Sequence, residues 1–211
     1  MSRVPVQSKR RLKEFEQVAL SDRDLTKLLS SQGIQCKITM YPEIHKMQHL
    51  DELFGPTGCG IILIESQPHY GHWVAIHRGI GNDPSLVEFF NSYGNAGSRK
   101  GGTGGWPDDA LHQLAQRGGN EDFLRRTYQN APYLSELMLR SGYPLSYNEY
   151  TLQAKDGDIR TCGRHAASRL MFRQYPLDQY VSMLRETAAY NGMTPDGVVT
   201  LLTNSVGIPP K

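Results

Sequence analysis

Three apolar segments in quick succession, Gly60–Ser66, His72–Arg78 and Ser85–Asn91, constrain this chain more than any other feature. The links between them, Gln67-Pro68-His69-Tyr70-Gly71 and Gly79-Ile80-Gly81-Asn82-Asp83-Pro84, are turn-rich and too short to hold a crossover helix. Strands joined this way pair antiparallel, as a meander. The first, Gly60-Ile61-Ile62-Leu63-Ile64, is apolar without alternation, the pattern of a strand covered on both faces. A sheet covered on both faces needs further layers, and the rest of the chain reads largely as helix. The predicted class is therefore α+β, with a central antiparallel or mixed sheet packed against helices.

The flanking elements have local signals. Ser21 followed by Asp24 is a capping-box start, with Leu25, Leu28 and Leu29 as a helical stripe. Gln35–Met40 reads as a possible strand and Gly55-Pro56-Thr57-Gly58 as a break. Helices are predicted at 108–117, 121–129, 133–141 and Pro176–Tyr190, and a strand near 145–152. Thr194-Pro195 supplies an N-cap and a first-turn proline for a last helix through Leu202. Six glycines crowd residues 94–107, with no Gly-Lys-Ser/Thr to make a phosphate-binding loop, so a mobile insertion is expected. It interrupts one domain spanning 1–211, which opens with a basic arm at 1–20.

A chain of 211 residues can bury a core without covalent staples. Its apolar runs are too short to cross a bilayer as a helix, and the basic N-terminus has no apolar core of a signal peptide. Neither a membrane nor secretion is expected. The three cysteines, Cys36, Cys59 and Cys162, fit free thiols in a reducing compartment, and no Cys-x-x-Cys pair points to zinc. Neither metal nor cofactor is implied. The net charge of +2 does not demand nucleic acid. The run Ser8–Lys13 reads as a solvated tail with at most weak affinity for an anionic surface such as DNA.

Chemistry concentrates at Arg160–Leu170. Cys162 precedes a helical run with Ala166, Ala167, Leu170 and Met171 along one side. A thiol at a helix N-terminus meets unpaired N–H groups that favour the nucleophilic thiolate. Attack on a carbonyl then needs a base, a group orienting it, and donors for the oxyanion. His72 opens a strand after a glycine turn, so the sheet holds it while it reaches a cleft; its competitors are His45, His69, His77, His112 and His165. Asn91, ending the neighbouring strand, fits the orienting role through its carboxamide oxygen, with Glu88 the substitute. Cys36 and Cys59 read as small buried hydrophobes, and Arg164 and Arg169 as a solvated or salt-bridged face.

The ordered set His72-Trp73, Phe90-Asn91-Ser92-Tyr93-Gly94, Gln153 and Cys162-Gly163 resembles cysteine proteases of the adenovirus-protease and ubiquitin-like-protein-protease group. The form Thr161-Cys162-Gly163-Arg164-His165 is most similar to capsid-maturation proteases of virophages, Polinton-like elements and other large double-stranded DNA viruses. The resemblance covers roughly residues 60–172, with His before Cys.

It implies a papain-like fold and a catalytic set of Cys162 as nucleophile, His72 as base, Asn91 as orienter and Gln153 as side-chain oxyanion donor, with Asn148 as fallback donor. Trp73 and Gly163 would line the substrate site. Most relatives carry Asp or Glu where Asn91 stands, and the Gln153-to-Cys162 gap is longer than usual. The implied activity is peptide hydrolysis of capsid or scaffold proteins at glycine-containing sites during virion maturation, in the virion and the host cytoplasm or nucleus. Removal of ubiquitin-like conjugates and a non-catalytic capsid-associated role are the alternatives. Gly101-Gly102, Gly104-Gly105 and Gly118-Gly119 are conceivable self-cleavage sites.

Overall fold

The computed structural model describes residues 6–68, 70–81, 83–94, 121–127, 129, 131–154 and 156–206. The glycine-rich stretch beyond Gly94, the 108–117 segment, His69, His112 and the paired glycines after Gly94 lie outside them.

The three apolar segments form the middle of a five-stranded sheet: β2 (Cys59–Gln67), β3 (Tyr70–Ile80) and β4 (Asp83–Phe90), paired antiparallel in sequence order. The sheet is mixed rather than a pure meander. β1 (Cys36–Met40) runs parallel to β2 along one edge, and β5 (Leu145–Tyr147) runs parallel to β4 along the other. β5 is shorter than the strand expected at 145–152. Asn148 still donates its N–H to Phe89 O at 3.1 Å, but its side chain bonds both the backbone N–H and the carbonyl of Tyr150, which ends the strand.

β2 is buried on both faces, as its unbroken apolar run requires. Ile61 and Leu63 join a core with α2 (Asp22–Ser31), α5 (Cys162–Met171), α6 (Leu177–Asn191) and α7 (Pro195–Leu202). Ile62 and Ile64 join a second core with the 3₁₀ turns Tyr41–Lys46 and Leu50–Leu53, α3 (Glu121–Arg126) and α4 (Tyr133–Arg140). The result is an α+β arrangement with the sheet between two layers.

The local signals that set helix ends are realised. Ser21 and Asp24 make a reciprocal capping box on α2, and the Thr194 hydroxyl accepts the Gly197 N–H at the start of α7. Gly192 ends α6 at φ 56°, a left-handed conformation that suits glycine.

The basic arm is not a solvated tail. It forms α1 (Val6–Glu16), which buries Leu12 and Phe15 and packs on α7 while Arg10, Arg11 and Lys13 stay exposed. Leu12 and Phe15 are three residues apart, so they share a face the charges leave clear.

α5 is buried on every side from Cys162 to Leu170, including both arginines. Arg164 donates to the Thr203 carbonyl and hydroxyl at 3.0 and 2.9 Å, and burial lowers its pKa to about 10. Arg169 forms a two-pronged ion pair with Glu88. Arg169 is salt-bridged as expected, though buried rather than on an exposed face; for Arg164 the solvated or salt-bridged face fails, because α5 lies between the sheet and a shell of helices.

Candidate active site

Gly71 sets the entry to β3. A Cβ there would lie 2.0 Å from the Ile64 carbonyl oxygen, so only glycine lets the two strands approach this closely just before His72. His72, opposite Ile64 in the ladder and 1% exposed, is thereby held by the sheet. Its Nε2 lies 2.8 Å from Asn91 Oδ1, the residue after β4. The same Oδ1 receives the backbone N–H of Tyr93 at 3.0 Å. A backbone N–H only donates, so the atom it meets is the carboxamide oxygen, and the imidazole carries its proton on Nε2. Nδ1 therefore has the lone pair. The Tyr93 ring stacks on the imidazole, with centroids 4.0 Å apart and planes at 11°.

Two features hold Asn91 in place. Asn148 Nδ2 donates to the Asn91 carbonyl at 2.6 Å and to Tyr150 O at 2.9 Å. Gly94 has φ 59°, and a Cβ on it would stand 2.4 Å from the Tyr150 carbonyl. The Asn91–Gly94 turn is thus built around a backbone approach that a side chain would block.

Cys162 is the first residue of α5 and is 7% exposed. Gly163, next along the helix, packs on Trp73: a Cβ there would lie 3.1 Å from Trp73 Cδ1 and 3.2 Å from Leu20 Cβ. The Trp73 indole N–H donates to Leu20 O at 2.9 Å, which fixes the ring. Gly163 and Trp73 are the chain neighbours of Cys162 and His72, so this contact brings the backbones of the two candidate residues close together. Both contact residues are buried, and what they contribute geometrically is the join between helix and strand.

Gln153 is 2% exposed. Its Oε1 accepts the Ser92 hydroxyl at 2.8 Å, and its backbone N–H, like that of Leu152, donates to Ser92 O at 3.0 Å. Nε2 makes a long 3.4 Å contact with Ile159 O. Ser92 adjoins Asn91, so one turn positions both the imidazole partner and the carboxamide.

A carboxylate that sequence reading passed over connects these parts. Asp196, 2% exposed in the first turn of α7, accepts the Ala154 N–H on Oδ2 at 2.9 Å. Its Oδ1 accepts the Thr161 hydroxyl and lies 3.1 Å from His165 Nε2. Burial pushes this carboxyl up, but His165, Thr161 and the Ala154 N–H outweigh it and hold its pKa below the ordinary value.

Other candidates lie elsewhere. Glu88 is fully buried against Arg169 and 3.5 Å from His77, so Asn91, not Glu88, meets His72. Burial pushes Glu88 up, yet His77 and Arg169 hold it below its ordinary value, while burial lowers His77. Asn148 uses Nδ2 on two carbonyls, which removes it as an oxyanion donor. His165 faces Asp196, and His45 sits exposed on the Pro42 carbonyl.

Cys59 is buried and Cys36 half-buried, facing each other across the β1–β2 ladder. Cys59 lies in the core shared with α5 and Cys36 packs against it, in keeping with small hydrophobes. The bond from Cys36, with Arg173 nearby, lowers the Cys59 thiol pKa, and the same contact raises that of Cys36. Ser92, Tyr93, Leu20 and Asp196 were missed. Only Ser92 and Tyr93 had a signal, as members of the Asn91–Gly94 turn.

No protein-family model matches the chain, and no solved structure matches it. It is similar to the uncharacterized protein V9 of Sputnik virophage: 32% identical over 192 residues, covering 91% of this chain and 98% of that protein.

Proposed function

This chain belongs to the same family as the uncharacterized protein V9 of Sputnik virophage, a virophage-type viral protein, and we propose that it is a papain-like cysteine endopeptidase that cleaves capsid or scaffold protein at glycine-containing sites during virion maturation. The observation that carries this reading is the His72–Asn91 pair of 2.8 Å beside the helix headed by Cys162, joined through Gly163 on Trp73.

With Nε2 engaged by Asn91, the Cys162 thiol proton passes to Nδ1 of His72. The sulfur attacks the scissile carbonyl carbon, and the electron pair moves to oxygen. The Cys162 backbone N–H and Gln153 Nε2 donate to that oxyanion. The tetrahedral species collapses, the C–N bond breaks, and Nδ1–H protonates the leaving amine. Water, deprotonated by His72, then hydrolyses the thioester and restores the thiol. A cleft that admits only a residue without a side chain would be the physical form of a preference for glycine beside the scissile bond. The exposed Arg10, Arg11 and Lys13 support weak DNA contact, read out as activity that falls with salt only when DNA is present.

The test is Cys162→Ala against wild type on a panel of capsid-derived peptides, with a thiol probe in parallel. Cleavage lost in the variant, and Cys162 labelled far faster than Cys36 or Cys59, are the expected results. Equal labelling of the three, with no peptide cleaved, overturns the reading in favour of a capsid-associated protein without turnover. Faster hydrolysis of a ubiquitin-like C-terminal substrate moves the target to host conjugates.

A further inference from the structure

Gln153 and Cys162 must aim donors at one oxygen, yet the connection between them includes the exposed turn Asp156-Gly157-Asp158. That turn is closed by local bonds, Asp158 N–H to Asp156 Oδ1 at 3.1 Å and Ile159 N–H to Asp156 O at 3.1 Å. Such bonds shape the turn without fixing its two ends relative to each other. An oxyanion site tolerates little misplacement, because its donors act only at hydrogen-bonding distance from the developing charge.

We propose that Asp196 is a positioning residue for the oxyanion site, one buried carboxylate that holds the Gln153 segment and the head of α5 at a set separation. This rests on the protease reading above. The two carboxylate oxygens divide the work. Oδ2 takes the N–H of Ala154, the residue after Gln153. Oδ1 takes the hydroxyl of Thr161, the residue before Cys162, and the imidazole of His165, one turn into the same helix. Each end of the 154–161 connection is therefore tied to one side chain on a third element, α7. That element is itself anchored, since Arg164 of α5 grips Thr203 just beyond it. All three groups donate to Asp196. A neutral carboxamide of the same shape removes the charge, and its NH₂ can meet Thr161 and His165 only if both reverse from donor to acceptor, so Asp196→Asn weakens the tie while keeping the volume.

Two reagents separate positioning from folding. A peptide aldehyde adds to the Cys162 sulfur and leaves an oxygen in the oxyanion site, so its affinity reads the donors. Iodoacetamide alkylates the sulfur by displacement at carbon and makes no oxyanion. Asp196→Asn is expected to lower kcat and weaken aldehyde binding about 10²-fold, with KM and the Cys162 alkylation rate changed less than about threefold. Thr161→Val, which removes only the helix-side hydroxyl, is expected to give a smaller loss of the same pattern, and it decides the matter if Asp196→Asn does not fold.

Unchanged aldehyde affinity in a folded variant overturns the proposal. So does a parallel loss of aldehyde binding and alkylation, which marks Asp196 as part of the fold alone. If wild type itself binds no aldehyde and Cys162 alkylates no faster than Cys36, the protease reading fails, and the positioning role fails with it.

Discussion

Arg169 of α5 holds Glu88 of β4 through two bonds, Nε to Oε1 at 2.6 Å and Nη2 to Oε2 at 2.9 Å, with both side chains fully buried. The guanidinium also donates to Phe172 O and Tyr175 O and lies 5.1 Å over the Tyr180 ring. Four of its five N–H donors are therefore matched and its charge is balanced inside the core. α5 is fixed to the sheet at both ends, by Gly163 on Trp73 near Cys162 and by Arg169 on Glu88 two turns on.

Removing one member of that pair leaves the other charge buried and alone. Glu88→Gln is expected to cost about 3–5 kcal/mol of folding stability in urea unfolding, and the apolar double replacement Glu88→Leu with Arg169→Met much less. A single-variant loss below about 1 kcal/mol contradicts the buried pair, because that is the scale of an exposed one.

Stability should fall on acidification in two stages. Burial holds His77 below its ordinary 6.5, so below that pH the unfolded chain takes up a proton that the folded chain refuses. Glu88 and Asp196 are held below their ordinary 4.5 and 3.8, so their stabilisation is complete above those values and lost as the pH falls through the lower folded ones. Glu16 opposes them: burial and the Asp196 charge raise it, so its contribution fades as pH rises through the raised value. Urea midpoints across pH will check this. His77→Gln should flatten the upper stage, shrink the Glu88 share of the lower one and leave the Asp196 share.

Asn91 orients His72 without charge. His72→Ala is expected to lower kcat by about 10²–10⁴, the usual share of a general base, and Asn91→Ala by less. Asn91→Asp places a carboxylate against Nε2, which favours the imidazolium. The acid limb of the pH–rate profile, below which His72 is protonated and cannot take the thiol proton, should then move to higher pH. A limb that stays in place would mean His72 does not govern that ionisation.

The Cys162-Gly163 pair has a steric cause. Gly163→Ala drives a methyl to 3.1 Å from the Trp73 ring, whose indole N–H is fixed on Leu20 O. A stability loss of about 1–3 kcal/mol is expected from overpacking. Trp73→Phe should recover part of it by relieving the contact, and thermal melts of the two single variants and the double variant will measure the coupling.

Much of the fold was legible. The strands from Gly60 to Asn91, the helix behind Cys162 and the caps at Ser21 and Thr194 all arise from residues within one or two turns of each other. The Asn91 partnership with His72 was proposed from strand ends, but the choice over Glu88 was not available there. Both sit at the end of β4, and only the side each one faces separates them. The burial of Arg164 and Arg169 was hidden for a related reason, although a salt bridge was among the expectations for Arg169: charge on a helix signals solvent unless a distant partner is known.

What the sequence by itself determined is the run of periodic segments and the order of the chemical groups along them. Short-range sterics and backbone hydrogen bonding decide those, and neither needs the rest of the chain. Tertiary structure alone decided the parallel edge strands β1 and β5, the burial of Arg169 against a glutamate 81 residues away, and the meeting of Thr161 with Asp196 across 35 residues. Such contacts exist only where packing has removed water from both partners, and no local pattern of residues records which distant group will be there.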